Sequence, residues 1–220
     1  MKENKILTKR QLLFLSVFSQ EKELSRKFYL SGGTALTEFY ISYRLSEDLD
    51  FFSFEEVDAQ VLSIFLKKHQ KEIGFKSVEF NTSFNRNLFF LKYSNEILKT
   101  EFTYYPFTQL EKPLKKDGVF VDSLIDIATN KLFTIYQKPR ARDFMDLFMI
   151  CSEKGYKITD LVEKARLKFD THIDPIKLGS QFLLCQKVKD YPTLLIDLPD
   201  DKWQQFFLDE AKKIGKEILE

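Results

Sequence analysis

Asp48 and Asp50, two positions apart, are the residues of this chain best placed to do chemistry. The stretch around them, Leu45 to Phe54, alternates apolar and polar residues as an extended strand does. On a strand, side chains at i and i+2 leave the same face about 7 Å apart. Two carboxylates so placed converge on one or two divalent ions, and Mg²⁺ suits them as a hard cation held by a few carboxylates and by substrate phosphate oxygens. Gly33 stands fifteen residues before Asp48, in Ser31-Gly32-Gly33-Thr34. The apolar run Phe28-Tyr29-Leu30 precedes it, and Ala35, Leu36, Phe39, Tyr40 and Tyr43 follow at helical spacing. A glycine pair between strand and helix lets backbone N–H groups approach a phosphate, and the helix N-terminus adds partial positive charge. A phosphate cradle beside paired carboxylates describes phosphoryl or nucleotidyl transfer. Either half alone is commonplace, a turn or a solvated strand edge; their order and separation point to chemistry.

The remaining pattern predicts a scaffold for these groups. Thr8 caps a helix carrying Leu12, Leu13, Leu15 and Phe18, and Asp58 starts another that Gly74 ends. Phe75 to Phe107 reads as a three-stranded meander, through Val78 and Phe80, Leu88 to Tyr93 and Ile97 to Tyr105, with turn signals at Asn85-Arg86-Asn87 and Ser94-Asn95-Glu96. Beyond Pro113 and Gly118 helices are expected at about 122–138, 140–153, 158–169, 174–188 and 200–218. The fold class is therefore α+β, a mixed β-sheet with helices packed on it followed by a helical C-terminal half, with domains 1–118 and 119–220.

With 220 residues, 44% hydrophobic and 30% charged, the chain is long enough for a packed core and excludes collagen-like and disordered classes. No apolar run long enough to cross a membrane occurs, and Met1 to Lys5 lacks the apolar core of a signal peptide, so a cytoplasmic protein without membrane association is expected. The two cysteines, Cys151 and Cys185, read as buried thiols, and the 23 phenylalanines as core. A net charge of +1 gives no global attraction to nucleic acid. The one local run of cations, Lys131, Lys138, Arg140 and Arg142, contains no acid between Thr129 and Arg142. His69 and His172 lack partner spacing.

Gly32-Gly33-Thr34-Ala35-Leu36, followed by Arg44-Leu45-Ser46-Glu47-Asp48-Leu49-Asp50-Phe51-Phe52, resembles the first signature of the polymerase-β-type nucleotidyltransferase superfamily. Within it, the pattern resembles the AbiEii/AbiGii nucleotidyltransferase toxins of bacterial abortive-infection and toxin–antitoxin systems. The resemblance implies a third acidic residue on a later strand, matched by Glu101; read alone, Glu101 is an exposed strand residue paired with Lys99. It also implies a helical lysine followed by Arg-Asp-x-x-Asp-Leu, matched by Lys131 and by Arg142-Asp143-Phe144-Met145-Asp146-Leu147. Leu124, Ala128, Lys131 and Ile135 share a helix stripe, so Lys131 lies at the edge of an inward face. Its stem either snorkels to solvent or carries the ammonium to an anion in a cleft, and the resemblance assigns it to the active site. Arg142 and Asp146 by themselves are an i, i+4 pair.

Carried through, the resemblance implies a metal-dependent nucleotidyltransferase toxin. Asp48, Asp50 and Glu101 would hold Mg²⁺ or Mn²⁺, while Gly32, Gly33, Thr34, Lys131, Arg142 and Asp143 would hold an NTP. Asp146 would organise Lys131 or the nucleotide. The acceptor hydroxyl would be RNA, first of all a tRNA 3′ end, with a cognate antitoxin as a further partner. A small-molecule nucleotidyltransferase of the aminoglycoside-modifying type, and an inactive binding module of the same fold, are the alternatives. The matching blocks lie between about residues 28 and 150.

Overall fold

The structure is a computed structural model that describes residues 6–56 and 58–219. Its contacts divide the chain into two units. The first takes the chain up to Tyr40, Ser46–Thr108 and Lys112–Ser123; the second takes Ile41–Leu45, Gln109–Glu111 and the chain from Leu124 onward.

In the first unit, Thr8 opens helix α1 (Lys9–Gln20) with a capping box: its Oγ1 accepts from the Gln11 N–H at 3.2 Å, and the Gln11 side chain accepts from the Thr8 N–H at 2.8 Å. After a single turn, α2 (Lys22–Ser25), strand β1 (Tyr29–Ser31) runs without a loop into α3 (Gly32–Phe39). Strand β2 (Leu49–Ser53) follows, then α4 (Ala59–Lys68), capped by Asp58, and α5 (Gln70–Ile73), ended by Gly74 at φ 83°. The meander is β3 (Ser77–Ser83), β4 (Arg86–Lys92) and β5 (Ile97–Tyr104). A hairpin absent from the sequence expectation, β6 (Leu114–Lys116) and β7 (Val119–Val121), turns at Asp117 and Gly118, both at positive φ. Glycine at 118 is required twice over, since a Cβ there would lie 2.9 Å from the Ser19 side chain.

The seven strands form one mixed sheet in the order β3-β4-β5-β2-β1-β7-β6. β2 is its pivot, antiparallel to β1 with Asp50 opposite Ser31, and parallel to β5 with Asp50 opposite Glu101. One face carries Phe51, Phe89, Leu91 and Phe102, all buried together with Phe14, Phe18 and Phe28. The Phe51 and Phe102 rings stack with centroids 4.9 Å apart and planes 8° apart, and Phe18 lies 4.8 Å from Phe51. These six phenylalanines are core, each contributing about 1.5–3 kcal/mol by burial, whereas Phe54, Phe80 and Phe84 are exposed. The opposite face of β2, β5 and β4 carries Asp50, Lys99, Glu101, Leu88 and Phe90.

The second unit is helical: α6 (Leu124–Gln137), α7 (Ala141–Lys154), α8 (Ile158–Phe169), α9 (Pro175–Leu183) with a 3₁₀ turn at Leu184–Gln186, and α10 (Asp200–Leu219). Phe207 of α10 meets Phe144 at 4.8 Å and Phe182 at 5.3 Å, with Trp203 fully buried beside them. Cys151 and Cys185 are buried free thiols, pushed by desolvation up to about 12 and about 11. The architecture is α+β, a mixed sheet with helices and a helical C-terminal half. Among the described residues no helix is long and apolar enough to cross a membrane.

Candidate active site

Asp50 and Glu101 lie on the face of the sheet opposite its phenylalanine core. Asp50 and Glu101 are register partners on neighbouring parallel strands, so their side chains emerge side by side. Asp48 lies just before β2 rather than within it. Two local contacts hold its approach: Gln11 Nε2 donates to the Ser46 and Glu47 carbonyls at 3.0 and 3.1 Å, and the Thr34 hydroxyl donates to the Asp48 carbonyl. Thr34 is fully buried, and its hydroxyl also lies 2.8 Å from Ser46 Oγ. Its hydroxyl therefore shapes the backbone that presents Asp48.

Gly32 and Gly33 begin α3 and are partly exposed. Gly32 takes φ 71°, and a Cβ on it would stand 2.7 Å from Asp50 Oδ2. The bare glycine keeps open the space beside that carboxylate. The Ser31 hydroxyl does not cap the helix; it donates to the buried Asp122 at 2.7 Å. Gly32→Ala is expected to cost about 1–3 kcal/mol in stability through left-handed strain and the displaced Asp50. Urea unfolding measures this directly, and an unchanged midpoint would contradict the close approach.

Each of two carboxylates in this group faces a cation. Lys99 Nζ lies 2.7 Å from Asp48 Oδ2 and 3.6 Å from Glu101 Oε2. Arg86 reaches Glu101 bidentately, Nε to Oε1 and Nη2 to Oε2, both at 2.6 Å. Burial would raise the Glu101 carboxyl, but the Arg86 hydrogen bonds and charge, with Lys99, hold it below its ordinary value. Burial likewise works against Lys99, and Asp48, Asp50 and Glu101 outweigh it, leaving the ammonium raised. All three acids offer hard oxygen donors, a set that fits Mg²⁺ or Mn²⁺ in donor type. As the side chains stand, with cations among them, no group of three His, Cys, Asp or Glu among the described residues forms a ready cage.

In the second unit, Lys131 is buried on α6 with its ammonium 2.7 Å from Asp143 Oδ1 and 2.6 Å from Asp146 Oδ2. Asp146, on α7, is fully buried and also accepts from Arg44 Nε at 2.7 Å, Arg44 Nη2 at 2.9 Å and the Tyr43 hydroxyl at 2.5 Å. Arg140 completes the chain of charges, 2.8 Å from Asp143. Desolvation acts against the charges of Arg44, Lys131, Asp143 and Asp146. The pull of Arg44 and Lys131 nonetheless drives Asp146 far below the usual carboxylate range, and the two aspartates raise Lys131. Two of the four cations between Thr129 and Arg142 are thus neutralised by carboxylates. Arg142 is half-buried and forms no ion pair among the described residues.

Arg44 was legible only as part of a motif; its use depends on a partner 102 positions away. The same holds for Asp126, fully buried, whose carboxylate takes Lys168 Nζ at 2.6 Å and the backbone N–H groups of Leu110 and Glu111. An inward-facing aspartate one turn into α6 was the available signal.

Comparison with known proteins bears on this geometry. JHP933 from Helicobacter pylori superposes with a TM-score of 0.62 at 20% identity, over 94% of this chain and 91% of that one. MenT4, a nucleotidyltransferase toxin from Mycobacterium tuberculosis, superposes with a TM-score of 0.57 at 14% identity, over 94% of this chain and 84% of its own. At such identities the likeness is one of fold. An uncharacterized protein of Aquifex aeolicus is 32% identical over 145 residues, which span 64% of this chain and 66% of that protein. The family model for the nucleotidyl transferase AbiEii toxin, type IV toxin–antitoxin system, matches residues 14–213. That match takes in the sheet, the glycine turn and the five C-terminal helices alike, and the chain belongs to the AbiEii family of nucleotidyl transferase toxins.

Proposed function

We propose that this chain transfers a nucleoside monophosphate from an NTP to a hydroxyl of RNA, in the first place a tRNA 3′ end, in a reaction that needs Mg²⁺ or Mn²⁺. The observation that carries this reading is the pairing of Asp50 with Glu101 across adjacent strands, with Asp48 two residues away and Gly32 bare beside Asp50. Asp48, Asp50 and Glu101 would hold the divalent ion. When bound, such an ion neutralises polyphosphate charge and makes the acceptor hydroxyl a better nucleophile. The backbone of Gly32 and Gly33, at the uncapped start of α3, receives phosphate oxygens. One of the carboxylates takes the proton of the acceptor hydroxyl; that oxygen bonds to the α-phosphorus in line as the bond to pyrophosphate breaks.

Lys131, saturated by Asp143 and Asp146, supports a positioning role: with Arg44 it fixes the helix pair that bears the family motif. Arg142 is the cation of that motif left to meet a phosphate. A cognate antitoxin is the proposed protein partner.

The test is incubation with α-labelled NTPs, Mg²⁺ and total tRNA. Label is expected in RNA, lost on adding EDTA. Label confined to a low-mass product would overturn the RNA acceptor, and label in neither would overturn the activity.

A further inference from the structure

We infer that Lys99 and Arg86 are resident counterions of the acidic face: they occupy its carboxylates in the free protein and pass to the polyphosphate when a metal–nucleotide complex takes those carboxylates. This rests on the metal-dependent reading above and adds two residues to it.

Asp50 and Glu101 are register partners on adjacent strands, Asp48 lies just before β2, and Glu101 is 6% exposed. Carboxylates gathered in this way repel one another, and Lys99 and Arg86 face them from the same sheet. Lys99 sits two residues before Glu101 on β5, and Arg86 sits on β4 opposite Thr103, which donates to Glu101 at 3.1 Å.

These pairs differ in kind from the network around Lys131. There Lys131, Arg44, Asp143 and Asp146 are all buried, and only Arg140 at the end of the chain of charges is partly exposed. Here the side chains of Lys99 and Arg86 are 26% and 48% exposed, and that of Asp48 is 32% exposed, so water reaches the pairs and weakens them. A doubly charged hard ion competes well for such carboxylates. The released ammonium and guanidinium remain tethered within a side chain's reach, and arriving phosphate oxygens are the anions that complement them. A guanidinium matches a phosphate in the bidentate manner in which it now holds Glu101. Metal and nucleotide would then bind cooperatively, each removing a cost the other otherwise bears.

The test uses the full chain, with Mn²⁺ as probe followed by electron paramagnetic resonance, and a non-hydrolysable NTP analogue followed by calorimetry. Lys99→Gln and Arg86→Gln are expected to bind Mn²⁺ alone about tenfold more tightly than wild type. Both should bind the analogue with Mn²⁺ about tenfold more weakly, and Lys99→Arg should restore wild-type values. Circular dichroism of the variants should match wild type, as their exposure predicts. Mn²⁺ affinity unchanged or lowered in both Gln variants would overturn the inference while leaving the metal reading standing. Tighter Mn²⁺ binding without loss of analogue affinity would overturn the transfer to phosphate. Failure of every form to bind Mn²⁺, with or without analogue, would overturn the metal reading itself.

Discussion

Asp146→Ala is expected to destabilise the second unit by about 3–5 kcal/mol, because it strands the buried Arg44 and takes from buried Lys131 one of its two carboxylates. Arg44 is 3% exposed and Lys131 8%, and Asp146 accepts from both, with Tyr43 as a further donor. Urea unfolding followed by the fluorescence of Trp203, buried in the same unit, reads the loss. Replacing the group by apolar residues, Arg44→Met with Lys131→Met and Asp146→Leu, should restore much of that stability, since no charge is then left unpaired and Asp143 keeps Arg140. Near-wild-type stability of Asp146→Ala would show that water reaches these groups. The pH dependence follows from the same shifts. Asp146 and Asp143 lie lower in the folded chain than the ordinary aspartate value of 3.8, so their contribution is complete above that pH and disappears as pH falls through the folded values. Lys131 is raised above 10.5, so its contribution is complete below that pH and is lost as pH climbs past its folded value.

Asp50→Ala is expected to lower nucleotide transfer by about 10³-fold or more while leaving the fold intact. The side chain is half-buried on the open sheet face, away from the phenylalanine core, so truncation opens no hydrophobic cavity. Its charge also helps hold Arg86 and Lys99 in their ionised forms, so Asp50→Asn in metal-free protein should change the unfolding free energy by no more than about 1 kcal/mol. Single-turnover transfer measured beside urea unfolding separates the two effects. Activity of Asp50→Ala within tenfold of wild type would remove Asp50 from the site. A loss of stability like that of Asp146→Ala would instead make it structural.

Local rules made much of the fold legible. Thr8 and Asp58 start helices because their side chains satisfy N–H groups within three residues, and Gly74 ends one because it tolerates positive φ. The five C-terminal helices, with stripes every three or four residues, lie within a few residues of expectation except that α9 gives way early to a 3₁₀ turn. The hairpin β6–β7 escaped because three-residue strands hold too few positions for alternation to register. Asp48 and Asp50 were legible as a pair, but alternation alone did not mark the strand as starting at Leu49. The cations that face the acids were not, since register across β4 and β5 brings Arg86 to Glu101 and no single-sequence pattern encodes it. Lys131 was legible as an anomaly, a charge at the edge of an apolar stripe; that its counterions are Asp143 and Asp146 requires the packing of α6 on α7.

Ile41–Leu45 lies between α3 and β2 in the chain yet belongs with the helices that come last. On the ribosome, Tyr43 and Arg44 emerge about a hundred residues before Asp146 exists to receive them. The nascent sheet must therefore hold a loop whose guanidinium stays hydrated until α7 is made, and no single cut can release either unit as an autonomous fragment.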